Sequence, residues 1–100
     1  MIIYNVTVNV EDSIHQEWLS WMKSKHLKEV VSTGCFTSYR MCRLLGTQDT
    51  GVTYAIQYFA PTIDHYHRYD QQYAPKLRQE GIDRFQEKMV AFRTLMEVVE

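Results

Sequence analysis

Val52-Thr53-Tyr54-Ala55-Ile56-Gln57-Tyr58-Phe59 is the most strand-like run in the chain. It mixes β-branched and aromatic residues, with Gly51 before it and Ala60-Pro61 after it. Pro61 has no amide hydrogen for a ladder, so the strand ends there. Val52, Tyr54, Ile56 and Tyr58 share one face; Thr53, Ala55, Gln57 and Phe59 share the other. Neither set is charged, so both faces are expected to meet protein or a lined cavity. The run therefore reads as a central strand.

Working outward, Ile2 to Val10 alternates just as cleanly. Ile2, Tyr4, Val6, Val8 and Val10 form an apolar set, and Ile3, Asn5, Thr7 and Asn9 a more polar one. Asp12 or Ser13 then offers a helix cap, with Gln16 and Glu17 close behind. The next helix reaches Lys28 or Val31, with Ile14, Trp18 and Met22 along its apolar stripe and His26 at the end. Thr33-Gly34 is its stop. Cys35 to Leu45 reads as a second strand near a sheet edge, and Gly46 to Gly51 as the loop that returns to the central strand. Thr62 caps a further helix, and Pro75 predicts a break near Tyr73 with a last helical piece ending at Gly81. Phe85 to Val99 is read as the final strand, against a competing helical pattern of Met89, Phe92 and Met96.

The order β-α-β-β-α-β, with right-handed crossovers, predicts an α+β ferredoxin-like domain over residues 1–100. Its antiparallel sheet has the order 4-1-3-2, with both helices on one face. The uncovered face carries Ile3, Asn5, Thr7 and Asn9 beside Thr53, Ala55, Gln57 and Phe59. A mixed, partly apolar face of this kind asks for a partner, and a homodimer paired through it is the expectation.

Composition narrows the function classes. The chain has 100 residues, 45% hydrophobic and 23% charged, with a formal net charge of −1. There is no basic block for nucleic acid or an anionic membrane, and no long apolar run for a membrane span. The first residues enter structure at once, without a signal-like segment, so a cytoplasmic location is expected. Cys35 and Cys42 are seven apart and fall on opposite strand faces, which disfavours a disulfide between them. No nucleotide loop, clustered cysteine ligands or nucleophile elbow occurs.

Four stretches carry a resemblance to a known group. They are the opening MIIYNVTVNV, the W-L-x-W-M-x-x-x-H-L of Trp18 to Leu27, the Y-A-P-x-L-R of Tyr73 to Arg78, and the closing FQEKMVAFRTLMEVV. On these the chain resembles the dimeric α/β-barrel superfamily, and more narrowly a small uncharacterised bacterial family. The resemblance implies a dimeric α/β barrel; pairing through the open face is what would let the long last strand cross to the second subunit. Its quinone-type monooxygenases use neither metal nor flavin, and Asn5 matches their strand-one asparagine. Its haem degraders place a histidine on the second helix, where His65 or His67 stands.

Three functions are carried forward. The first is a non-enzymatic small-molecule binder or interaction scaffold, its ligand contacts drawn from Trp18, Gln57, His67 and Tyr69 together with Asn5 and Arg40. The second is a cofactor-independent monooxygenase or isomerase for an aromatic or enolisable substrate. There Asn5 and Arg40 would stabilise developing oxyanion charge, and His26 or His67 would move a proton. The third is haem binding through His65 or His67. His65 and His67 are two apart and do not share a helix face, and zinc needs three or four convergent ligands, so no metal-ion site is expected and, outside the haem reading, no resident cofactor. Arg93 has the same two readings as Arg40, an anion contact or a rim ion pair. The plainer readings are packing or dipole termination for His26, core or interface for the tryptophans, and core for the tyrosine stripe.

Overall fold

The computed structural model describes residues 1–47 and 50–100. The four strands are β1 (Ile2–Val10), β2 (Ser38–Arg43), β3 (Val52–Ala60) and β4 (Met89–Glu97). They form one sheet in the order β2-β3-β1-β4, and every neighbouring pair is antiparallel. Between β1 and β2 lie α1 (His15–Trp21), a π-helical turn (Met22–His26) and α2 (Leu27–Ser32). Between β3 and β4 lie α3 (Ile63–Gln72) and α4 (Ala74–Phe85), which meet at Tyr73 as Pro75 predicts. The element order and strand order are those of the ferredoxin-like topology.

The expected barrel does not form. The sheet is open, and β2 and β4 are its two edges. Four strands covered by helices on one side leave nothing to join these edges, and closed barrels use about eight strands. The dimeric α/β-barrel assignment is therefore corrected to an open-sheet ferredoxin-like fold.

The pairing register decides which side chains are inside. Tyr4 faces Tyr58, Val6 faces Ile56, Val8 faces Tyr54 and Val10 faces Val52. Cross-strand partners share a face, so these residues form one apolar floor under the helices. Trp18 is fully buried on that floor, its ring 5.1 Å from Tyr54, and its indole Nε1–H donates to Met89 Sδ at 3.2 Å. His15 Nε2 and Tyr54 Oη share a 2.7 Å hydrogen bond that pins the start of α1 to β3. At the other end Tyr4 packs among Phe36, Tyr58, Tyr66 and Tyr69, with ring centroids 5.1–6.1 Å apart.

Several boundaries differ from the sequence reading. A 3₁₀ turn (Asp12–Ile14) precedes α1, and neither Asp12 nor Ser13 caps the helix through its side chain. Ile14 N–H is satisfied instead by the Glu11 carbonyl at 3.1 Å. The Thr62 hydroxyl bonds to His65 Nδ1 at 2.7 Å rather than to a backbone amide. Strand β2 is shorter than expected, and Cys35 and Phe36 are buried ahead of it. Gly81 does not stop α4; it is buried within it, and an added Cβ would lie 3.3 Å from Trp21 Cη2 and Met89 Cε. Its missing side chain lets α4 approach the Trp21 ring. The helix ends at Phe85, where Gln86 takes a positive φ of 53°, so β4 begins only at Met89. The loop expected over residues 46–51 includes residues 48 and 49, which lie outside the described residues.

Gly51 gives a direct test of the turn into β3. Its φ is +78°, and an added Cβ would collide with the Val10 carbonyl oxygen. Gly51→Ala is expected to lower stability by roughly 1–3 kcal/mol, read as a lower urea midpoint at unchanged slope. An unchanged midpoint would show that the turn is not held as described.

Candidate functional site

A cavity of about 60 Å³ lies between the apolar floor and the helices, next to β4. Val6, Val8, Ile56, Met89 and Ala91 line it from the sheet, and Trp18, Trp21, Met22 and Leu77 from the helices. Gly81 helps to shape one wall, and the tyrosines Tyr4, Tyr58 and Tyr69 another. Three nitrogen-bearing side chains also reach it: His26, Arg78 and Arg93.

His26 closes the π-helical turn and stacks on Trp21, with centroids 4.6 Å apart and planes 24° from parallel. Single π turns inside helices recur at functional sites. Burial holds its imidazole down, to a pKa of about 4; Glu80 opposes this shift, while Lys25 and Arg93 add to it. His26 is therefore neutral near pH 7, and its buried Nδ1 has no hydrogen-bond partner. Arg78 is held by two bonds from one terminal nitrogen, to Tyr4 Oη at 3.1 Å and to Asp70 Oδ1 at 3.2 Å. Its buried Nε is unpaired. Burial pushes the Tyr58 and Tyr69 phenols far above their ordinary value, so both stay protonated and able to donate.

The sequence candidates separate into groups. Trp18, His26 and Tyr69 line the cavity. Asn5, Gln57 and Arg40 lie on the opposite face of the sheet, in one cross-strand row that runs Arg40, Gln57, Asn5, Thr94. Asn5 Nδ2 donates along that face to Thr7 Oγ1 at 3.1 Å and Thr94 Oγ1 at 3.3 Å. The sheet itself thus stands between Asn5 and Arg40 on one side and His26 on the other, and the structure does not bring the three together. His67 is exposed on α3, and His65 is engaged with Thr62. Neither lines the cavity, and the cavity is far smaller than a porphyrin. Among the described residues, no group of three or more His, Cys, Asp or Glu is placed to hold a metal ion. Among the same residues, no helix is long and apolar enough to cross a membrane.

The family profile described as "Domain of unknown function (DUF4286)" matches residues 1–99. The chain belongs to the DUF4286 family. No curated protein matches it. Solved structures share its fold at low identity. One is an ethyl tert-butyl ether d (ethd) family protein from Bacillus halodurans C-125, with a TM-score of 0.70 at 7% identity, covering 99% of this chain and 100% of that one. A proposed antibiotic biosynthesis monooxygenase from Deinococcus radiodurans also reaches 0.70, at 10% identity, covering 100% and 94%. A dimeric ferredoxin-like protein from an uncultured marine organism reaches 0.59 at 14% identity, covering 99% and 95%. These likenesses establish the fold and nothing finer. DUF4286 membership with an open ferredoxin-like sheet replaces the barrel-superfamily resemblance.

Sequence reasoning missed Arg78 as a site residue in this DUF4286 chain. The only sign was its place in the Y-A-P-x-L-R stretch, because its partner Tyr4 lies 74 positions away. It also missed the π turn, which leaves no mark in the hydrophobic pattern beyond the position of His26.

The depressed His26 pKa sets a pH dependence with a definite sign. The unfolded imidazole takes its proton near pH 6.5, and the folded one only near pH 4. Its contribution is fully present above pH 6.5 and is lost as pH falls from there towards 4, by up to about 3 kcal/mol. Urea unfolding at pH 7 and pH 4.5 should show wild type losing more stability than His26→Gln. Equal losses would place the imidazole in solvent.

Proposed function

We propose that the protein is a small-molecule binding protein whose ligand sits in the cavity between the sheet and the helices. The observation that carries this reading is a pair of buried, unpaired nitrogens, His26 Nδ1 and Arg78 Nε, in residues that line one cavity. Buried polar groups are normally paired, and each that is not needs an explanation such as a ligand or water. Apolar walls with a few convergent polar groups are the usual make-up of a ligand site. Trp18 and Tyr69 are contacts in this reading, and His26 is a hydrogen-bonding residue.

The same reading includes a homodimer paired through the uncovered sheet face. There Phe92 is 66% exposed, Val90 54% and Met96 38%, around the polar row of Arg40, Gln57, Asn5 and Thr94. One protein of similar fold is itself described as dimeric. Asn5, Arg40 and Gln57 belong to this pairing surface, where the row can exchange hydrogen bonds with its copy.

A second reading is proton transfer on an enolisable substrate, favoured by His26 in a π turn beside protonated tyrosines. A base with a pKa of about 4 is poorly matched to that task near pH 7, so binding is preferred.

Native mass spectrometry of freshly purified protein tests both parts. Wild type should appear at twice 11.9 kDa and carry additional bound mass. Ala91→Phe, which fills the cavity, should lose that mass and remain dimeric. Phe92→Glu should shift the population to monomer at micromolar concentration. A wild-type monomer would sink the dimer. Bound mass that persists in Ala91→Phe would sink the cavity as its site.

A further inference from the structure

We infer that the cavity takes the carboxylate end of a small organic anion, held by Arg78, Arg93 and His26. This rests on the cavity being a ligand site, and adds the chemical class of what it accepts.

Charge is the first argument. Two guanidinium groups line the cavity, and no Asp or Glu does. The nearby carboxylates stay outside the lining, although Asp70 pairs with Arg78 and Glu80 acts on His26. Asp70 binds Arg78 at 3.2 Å without lining the cavity. Glu29 and Glu80 each lie 3.7 Å from Lys25 Nζ. Among the described residues Arg93 makes no ion pair, so its charge is not cancelled by the protein. Arg93 therefore supplies the uncancelled charge that an anion at the cavity meets, beside low-dielectric walls that strengthen such attraction.

Donor geometry is the second. The bonds to Tyr4 and Asp70 fix the Arg78 guanidinium in place before any ligand arrives and leave Nε–H free. Neutral His26 carries one ring N–H, and with Nδ1 protonated it supplies a second donor. The Tyr58 and Tyr69 hydroxyls are held protonated. A carboxylate accepts hydrogen bonds only, so it suits a lining dominated by donors.

Size and walls select among anions. A space of about 60 Å³ matches a head group, since a single water needs about 10–15 Å³ of such space. A phosphate carries more charge and more oxygens than the few free donors can satisfy, and Trp18, Val6, Ile56 and Leu77 offer it nothing. A planar carboxylate matches the planar guanidinium. The rest of the molecule leaves beside Ala91 and exposed Arg93 on the edge strand, where an apolar or aromatic body meets Met89.

The test uses phenylacetate and its neutral counterpart phenylacetamide, titrated at pH 7 into the isotopically labelled full chain and followed by NMR. Phenylacetate should shift the Trp18 and Trp21 indole N–H signals and the Gly81 amide, with an affinity at least about tenfold above the amide. Arg78→Gln and Arg93→Gln should each remove most of that preference. Arg93 is exposed, so its variant keeps the test valid if Arg78→Gln fails to fold. Lys76→Gln, the same charge change elsewhere on α4, should preserve the preference. Equal shifts from acid and amide at the cavity signals would overturn the anion inference and leave the cavity as a site. Cavity signals that respond to neither probe would overturn the site and the inference together.

Discussion

The nine-residue antiparallel register between β1 and β3 is the constraint on which the rest of the structure depends. It sets Tyr4, Val6, Val8 and Val10 beside Tyr58, Ile56, Tyr54 and Val52 on one surface. A slip of one residue would turn Asn5, Thr7 and Asn9 towards the helices and expose the apolar set. With the register fixed, the helices must cover the even-numbered face. The same register lines up Arg40, Gln57, Asn5 and Thr94 on the other face. One pairing therefore creates both an enclosed, aromatic, donor-rich side and an open side of mixed polarity.

Chemistry on the covered side depends on imperfect helix packing. An unbroken α-helix from His15 to Ser32 would carry its stripe past the floor at constant pitch. The π turn at Met22–His26 interrupts that pitch and seats His26 against Trp21. Gly81 lets the Trp21 ring lie close on α4. Trp18 and Trp21 are both buried as a result, one against β3 and the other against α4 and Phe85. What remains between them and the edge strand is a small space where Arg78 and His26 each keep one buried nitrogen unpaired.

Most of the fold was legible because strand alternation is a local signal. Ile2–Val10 and Val52–Phe59 show their two faces in sequence, and their pairing gives the sheet order. The break at Tyr73 was legible because proline acts on its own neighbours. Boundaries failed where the deciding contact was distant. Gly81 reads as a helix stop, yet the reason for glycine there is the Trp21 ring, 60 positions away in the chain. The turn at Gln86 has a positive φ without a glycine to announce it, so Phe85 was drawn into the strand. Site residues divide in the same way. His26 was visible as the end of an apolar stripe, while Arg78 acquires its place through Asp70 and the distant Tyr4. The barrel was carried by resemblance alone, and no local pattern in β2 or β4 required their edges to join.

Those two free edges have a consequence for how copies of the chain can meet. An exposed strand edge is a template for further strands, and edges left bare invite open-ended stacking into fibres. Here β2 carries Arg40 and Arg43, and β4 carries Arg93 and Glu97. Laying β2 against another β2 would bring arginine beside arginine, and such like-charge contacts oppose growth. Extension of the sheet through β2 is thereby opposed, whereas β4, with Arg93 and Glu97 two residues either side of Leu95, has no such like-charge barrier against a second β4.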